Sequence, residues 1–274
     1  MHRQFIIAVA ILLFASVGLS CSLLLRRDRL TWRLVLESDA AGADRDAILG
    51  RTVTVIERRL DNLELRNARV ERQGTPANGR IVVSLPNIAD HERVKAIITA
   101  AGLLELAAVV SPPSPSPVQT YKSKEEALSS LGDKAPDNHR VLPYVERAEP
   151  VAGLRSTENS WVVVEEPAIV DGGDLRNASA VQSAGSPDNY QILFSLGPEG
   201  STNLGAWTGS HINNYLSVVL NGEVKTIAYI RTQILDQGEI TGRFTKQSAE
   251  DLALVLRSGA LPTPVRIVEE TAIR

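Results

Sequence analysis

The sequence predicts an α+β fold with a base, an inserted head and an apolar segment in front of both. Over residues 30–109 the apolar residues give the order strand, helix, strand, strand, helix and strand, which is the split arrangement of a ferredoxin-like unit. Residues 110–243 are more polar and irregular, whereas residues 244–274 return to a clear helix and strand. We therefore expect a ferredoxin-like base at 30–109, completed by 244–274, an inserted α+β head at 110–243, and an N-terminal segment at 1–29.

The elements of the base are predicted from the spacing of their apolar residues. Apolar positions three or four apart indicate the buried face of a helix, and alternation indicates a strand. Pro86 suits the end of a strand, and Gly102 suits the end of a helix. In chain order we expect a strand at 34–36, a helix at 43–63, hairpin strands at 68–73 and 80–85 with a turn at 74–79, a helix from about Asp90, and a strand at 103–109.

The segment at 111–117 joins the base to the head and holds four prolines in seven residues. Proline fixes its backbone and lacks an N–H donor, so this segment forms neither a helix nor a central strand. Two interpretations stay open: a hinge between the two parts, and a solvated surface loop.

In the remainder of the chain, helix caps and one turn signal carry the predictions. Asn221-Gly222 is a strong hairpin signal because both residues tolerate a positive φ. We expect a helix at 123–131 with a capping box of Ser123 and Glu126, irregular sequence at 132–159, strands at 161–164 and 191–195, a helix at 198–215, hairpin strands at 216–220 and 224–230, a helix from Ser248 to Gly259, and a strand at 265–269.

Residues 5–25 form an uncharged apolar run. This length matches the roughly 20 residues that cross a bilayer as a helix, so we expect contact with the membrane through this run. Two alternatives remain, an uncleaved anchor and a processed signal segment. In the second case Cys21 is the candidate lipidation residue, since the residues before it faintly resemble a lipoprotein box. Both alternatives predict a protein of the cell (inner) membrane, single-pass or lipid-anchored, with its body in the periplasm or extracytoplasmic space.

Composition argues against several classes of function. The chain has 29 Lys and Arg against 32 Asp and Glu, a net charge of −3, and therefore no overall basic surface to attract nucleic acid. A single cysteine and 4 scattered histidines predict neither a metal site nor a nucleophile with its base. Asp171 and Asp174 flank two glycines and indicate a turn rather than a calcium loop. We expect no catalytic residues, cofactor or metal.

Three blocks of sequence resemble the SecD family of bacterial protein-export factors. Residues 80–86 and 100–107 are similar to the family's IVVQLPG and TLEF segments, residues 170–178 to its VTGxDLxxA segment, and residues 216–270 to its strand–turn–strand and following helix. Residues 26–32 stand where the family has LDLxGG, and the chain ends at 274 without the family's further membrane helices. The resemblance implies the first periplasmic domain alone, without the helices that conduct protons.

This resemblance implies an accessory protein of Sec-dependent export. Its expected partners are translocating polypeptide or components of the Sec translocase, which it contacts outside the membrane without motor activity. The candidate contact residues are Tyr121, Trp161, Tyr190 and Trp207, and ordinary core packing is the alternative interpretation of each aromatic ring. The second hypothesis is a stand-alone envelope lipoprotein that uses the same fold for scaffolding or ligand binding. We expect no enzymatic activity.

Overall fold

The computed structural model describes residues 30–75, 78–145, 159–184 and 186–272. The predicted membrane segment at 5–25 and Cys21 lie outside these residues. Within them, no helix combines the length and the apolar character needed to cross a membrane.

The described residues form a mixed α+β structure, as predicted, with three β-sheets and five α-helices. The helices are α1 (Arg45–Asn62), α2 (His91–Thr99), α3 (Lys124–Ser130), α4 (Pro198–Ser210) and α5 (Lys246–Ser258). The strands are β1 (Leu30–Ser38), β2 (Arg69–Gln73), β3 (Arg80–Pro86), β4 (Leu104–Ala108), β5 (His139–Val145), β6 (Asn159–Glu165), β7 (Val170–Asp171), β8 (Leu175–Gln182), β9 (Tyr190–Leu196), β10 (Tyr215–Leu220), β11 (Glu223–Tyr229), β12 (Gln237–Phe244) and β13 (Val265–Ala272).

The first sheet has four strands in the order β13-β1-β3-β2, and every neighbouring pair is antiparallel. Leu34 and Leu36 of β1 are fully buried in the cluster that also contains Leu49 and Ile56 of α1. Alternate residues of a strand share one face, so the apolar residues of β1 meet the apolar stripe of α1. This contact between sheet and helix forms one hydrophobic core of the molecule.

The last strand predicted for the base, at 103–109, lies in a different sheet. It forms β4, which pairs with β10 and β7, while β13 takes the outer position beside β1. The reason is burial on both faces: Leu104 and Leu106 pack in one core cluster and Ala107 in another. Such a strand fits the interior of a sheet, whereas the mostly exposed β13 fits an edge.

The second sheet has six strands in the order β6-β5-β11-β10-β4-β7, and the third has three in the order β12-β9-β8. They share the largest core cluster with α4 and α5, which includes Phe194, Leu204, Val218 and Leu256. The Asn221-Gly222 hairpin prediction is confirmed, because β10 and β11 pair around these residues and their φ angles are 52° and 78°.

Several boundaries differ from the predictions. The segment expected to be irregular contains β5, which pairs with β6, and strands β8 and β12 had no predicted counterpart. The helix expected to run to 215 ends at Ser210, because His211 leaves the helical conformation and Asn213 has a φ of 73°. The cap of α5 is Thr245 rather than Ser248, and its hydroxyl accepts a hydrogen bond from the Ser248 backbone N–H.

The proline-rich segment is hydrogen-bonded to strand β10 of the six-stranded sheet and to the loop that precedes β10. The Ser114 N–H donates to the Asn213 carbonyl at 2.8 Å, and the Tyr215 hydroxyl donates to the Ser116 carbonyl at 2.6 Å. Just before the prolines, the Val110 N–H donates to the Val163 carbonyl of β6. The proline-rich segment is therefore held against the start of β10, and the residue just before it is bonded to β6.

Candidate polypeptide-contact surface

Trp207 lies on α4 beside a cleft of about 500 Å³, which we call the Trp207 cleft. The indole ring is half-buried and packs against the largest core cluster. His211, one turn later, stacks on it with ring centroids 4.2 Å apart and planes 5° apart. The walls of the cleft combine polar and apolar surface in similar amounts, and the lining residues are Ala108, Glu165, Pro167, Ala168, Ile169, Asn203, Ala206, Trp207 and Ser210.

Two glutamates at the end of β6 have different surroundings. Glu166 forms an ion pair with Arg140, which also binds Glu105 at 2.9 Å. Glu165 is exposed on the rim of the Trp207 cleft, and within the described residues its carboxylate has neither an ion pair nor a hydrogen bond. The rim therefore carries one unneutralised negative charge.

Tyr121 and Trp161 lie next to each other but away from the cleft. Their backbones exchange two hydrogen bonds of 2.8 Å, and the Tyr121 hydroxyl is 2.9 Å from the Ser130 hydroxyl at the end of α3. Trp161 precedes Glu165 by four positions on β6, which corresponds to about 13 Å along a strand. The two residues hold the chain before α3 against β6.

Tyr190 begins β9, where it is paired with Gln182 and Phe244 and packs against the largest core cluster. Of the four predicted contact residues, Trp207 is therefore the one that lines the cleft. The sequence reasoning missed Glu165 and Pro167 because the topology brings them to Trp207 from the end of β6, and it also missed Asn203, which lies one turn before Trp207 on α4. The adjacent glutamates after a buried strand were the available signal for the charged rim.

The Asp171–Asp174 segment is a turn, as predicted. Asp171 accepts a hydrogen bond from the Gly173 N–H at 2.7 Å, and Asp174 accepts one from the Asp171 N–H at 3.2 Å. Both carboxylates thus cap the single helical turn Gly172–Asp174. In the described part of the chain, no group of three or more His, Cys, Asp or Glu side chains is placed to hold a metal ion.

A second groove, of about 370 Å³, lies between α2 and α5. Ala96 and Leu252 contribute to its apolar lining, and Arg93 and Asp251 meet at its rim. The Arg93 Nε is 2.9 Å from one carboxylate oxygen of Asp251, and a terminal guanidinium nitrogen is 2.7 Å from the same oxygen. The hydrogen bond to Asp251 raises the pKa of Arg93. Arg93 and Asp251 are paired with each other and the Asp90 carboxylate accepts a hydrogen bond from the Arg93 backbone N–H, so this groove is a weaker candidate than the Trp207 cleft.

Two family models match this chain. The model of the P1 head subdomain of SecDF matches residues 147–263, and the model of the N-terminal part of the P1 domain of protein translocase subunit SecDF matches residues 49–111. The chain belongs to the SecD family. Its similarity to SecD proteins therefore extends over both parts of the P1 domain.

Curated SecD relatives agree with the family models. The protein translocase subunits SecD of Koribacter versatilis, Elusimicrobium minutum and Aquifex aeolicus are 31%, 32% and 32% identical to this chain over 84%, 86% and 84% of its length. The matches cover 39%, 48% and 40% of those three proteins. The chain thus spans less than half of the length of these SecD relatives.

Two solved structures share the fold. A SecDF structure described as a membrane component that enhances protein export has a TM-score of 0.63 at 27% identity and covers 88% of this chain and 100% of its own. A crystal structure of SecDF in a super-membrane-facing form also has a TM-score of 0.63, at 26% identity, over 88% of this chain and 30% of its own. The SecD likeness is therefore one of fold as well as sequence.

Proposed function

We propose that this protein is an accessory factor of Sec-dependent protein export that contacts translocating polypeptide or the Sec translocase outside the membrane. The observation that carries the proposal is membership of the SecD family across the P1 domain, whose relatives are named protein translocase subunits. A solved relative is described as enhancing protein export. The proposed role is binding, with no proton-coupled motor activity, no catalytic step and no cofactor.

The Trp207 cleft is the proposed contact site for polypeptide. It offers an indole ring, apolar residues such as Ile169, and polar residues such as Asn203 and Ser210. Pockets that bind ligands combine these features, because apolar walls supply burial and polar groups fix orientation. Tyr121, Trp161 and Tyr190 are secondary candidates whose packing in the fold also explains them.

We further propose that residues 5–25 hold the body at the inner membrane, as a single-pass anchor or through a lipid at Cys21, with the body in the periplasm. The proposed ferredoxin-like base comprises 30–109 and 244–274, and 110–243 is the inserted head. The antiparallel pairing of β13 with β1 and the sheet order β13-β1-β3-β2 support a base completed by the end of the chain. Strand β4 is then the connection that leaves the base for the six-stranded sheet.

Site-specific crosslinking in living cells tests this function. A photo-crosslinking amino acid replaces Asn203, which is exposed at the rim of the cleft, and in a matched control it replaces Glu71, which is exposed on β2. We expect crosslinks from position 203, and not from position 71, to exported polypeptides arrested in transit or to translocase subunits. Crosslinks to unrelated envelope proteins alone would contradict the proposal and favour the second hypothesis of a scaffolding or ligand-binding envelope lipoprotein.

A further inference from the structure

We propose that the Trp207 cleft binds a lysine or arginine side chain of an extended polypeptide. The inference rests on the proposed polypeptide contact and adds the chemical class of the segment that is bound. It is carried by three features of the cleft: an unpaired carboxylate, an aromatic ring and a lining without lysine, arginine or histidine.

The carboxylate of Glu165 supplies the charge. It is exposed on the rim and, among the described residues, has no ion pair or hydrogen bond. Its neighbour Glu166 and the nearby Glu105 are both ion-paired with Arg140. None of the residues that line the cleft is a lysine, arginine or histidine. A cation that enters the cleft therefore meets one free negative charge and no competing positive charge.

The indole of Trp207 supplies the second contact. His211 stacks in parallel on one face of this ring at 4.2 Å but does not line the cleft. Trp207 is only half-buried and lines the cleft, so part of its indole is open to a group that enters the cleft. Cations are attracted to the faces of aromatic rings, and tryptophan is the strongest of these partners.

The walls suit the stem of a basic side chain. Pro167, Ala168, Ile169 and Ala206 contribute apolar atoms to the lining of the cleft that Trp207 and Glu165 also line. Lysine and arginine bury their methylene groups along apolar surfaces and keep the charged end in water. A basic side chain thus combines three interactions: its methylene groups pack on the apolar residues, and its charge is attracted to the ring and pairs with the carboxylate. A purely apolar side chain leaves the carboxylate without a partner, and an acidic one is repelled by it.

Peptide binding by the purified protein tests the inference. The probes are three short fluorescein-labelled peptides that differ only at the central residue, which is lysine, norleucine or glutamate. We expect the lysine peptide to bind about fivefold more tightly than the norleucine peptide, and the glutamate peptide to bind most weakly. Added salt should reduce the difference between lysine and norleucine, because the charges are exposed.

Two variants assign the preference to the cleft. In Glu165→Gln the lysine and norleucine peptides should bind equally, and in Trp207→Leu the lysine peptide should lose about fivefold in affinity. Glu71→Gln removes an exposed acid from β2, away from the cleft, and should keep the preference of the wild type. Among the described residues the Glu165 carboxylate has no ion pair or hydrogen bond, so Glu165→Gln removes no polar contact of the fold.

The outcomes separate the two proposals. Equal binding of lysine and norleucine peptides by the wild type, or a lysine preference that survives in Glu165→Gln, overturns the basic-side-chain inference while the polypeptide contact stands. Failure of all three peptides to bind the wild type counts against the proposed polypeptide contact and against the inference that rests on it.

Discussion

The guanidinium of Arg59 donates a hydrogen bond to the carbonyl oxygen of Gly259, which is 3.0 Å away and 200 residues later in the chain. Its other terminal nitrogen donates to the carbonyls of Ile97 and Ala100 at 2.9 and 2.6 Å. Arg59 is fully buried, and this burial lowers its pKa to about 10. The charge therefore persists at neutral pH, where it satisfies the carbonyl ends of α2 and α5.

Replacing Arg59 by methionine should destabilise the protein by about 2–4 kcal/mol, because buried carbonyls at two helix ends lose charged donors. Urea unfolding measures the change. Arg58→Met is the matched control, since Arg58 is its exposed neighbour on α1, and should stay within about 0.5 kcal/mol of the wild type. Equal stability of the two variants would show that Arg59 does not hold the helices together.

Gly102→Ala should also lower the free energy of unfolding, because both backbone strain and a steric clash act at this residue. Its φ is +69°, and an added Cβ would lie 2.7 Å from Cγ1 of Val255 on α5. Gly42 has a similar φ of +78° but nothing within 4 Å of an added Cβ. We expect Gly42→Ala to cost about 1 kcal/mol and Gly102→Ala about 2–4 kcal/mol in urea unfolding.

The double variant Gly102→Ala with Val255→Ala identifies the contact as the cause. Shortening Val255 removes the clash, so the two substitutions together should cost about 1 kcal/mol less than the sum of their separate effects. Strict additivity would place the cost in the backbone conformation of residue 102 alone.

The Arg93–Asp251 pair should link α2 to α5 measurably. A double-mutant cycle with Arg93→Gln and Asp251→Asn should give a coupling energy of about 1 kcal/mol, because two nitrogens of the guanidinium contact the carboxylate and the pair is partly shielded. Lys246–Glu250, an exposed pair at 3.9 Å within α5, is the comparison and should couple by less than about 0.5 kcal/mol. Similar coupling in both cycles would refute the special role of the Arg93 pair.

Acid should weaken the pairing of β13 with β1. Hydrogen bonding to Arg266, and then to Arg80, lowers the pKa of Glu37 from its ordinary 4.5. The stabilisation from this carboxylate is present above pH 4.5 and is lost as the pH falls through the lowered value. Thermal unfolding at several pH values should show a smaller acid-induced loss for Arg266→Gln than for the wild type.

The control for the acid experiment is Arg51→Gln, which alters an exposed arginine on α1 and should keep the acid sensitivity of the wild type. If Arg266→Gln and the wild type lose stability in parallel on acidification, the Glu37 contact makes no contribution to that loss.

Local signals predicted much of the fold. The Asn221-Gly222 turn and the end of α5 at Gly259 follow from residues that tolerate positive φ, and both are observed. The place of β4 could not be predicted in this way, because it depends on pairing with β10, more than a hundred residues later. Arg59 falls on the buried side of α1, but its partners lie 38 and 200 residues away in sequence.

The candidate site could be predicted only in part, because its residues also come from segments that are far apart in the sequence. Trp207 was identified as an aromatic residue of a helix, and it lines the cleft. Glu165 and Pro167 reach the cleft from the end of β6, and Ala108 from the end of β4. Sequence spacing describes neighbours along one element, whereas this cleft combines three segments that only the tertiary fold brings together.

The pairing of β1 with β13 also governs when the first sheet can form during synthesis. Glu37 and Arg266 are bonded across these strands although 229 residues separate them. At typical rates a ribosome needs about 10–45 seconds to make that length of chain. Throughout this interval one side of β1 lacks its hydrogen-bonding neighbour, and open strand sides of this kind promote association with other chains. The first sheet therefore cannot be completed until the last strand of this sequence has been made.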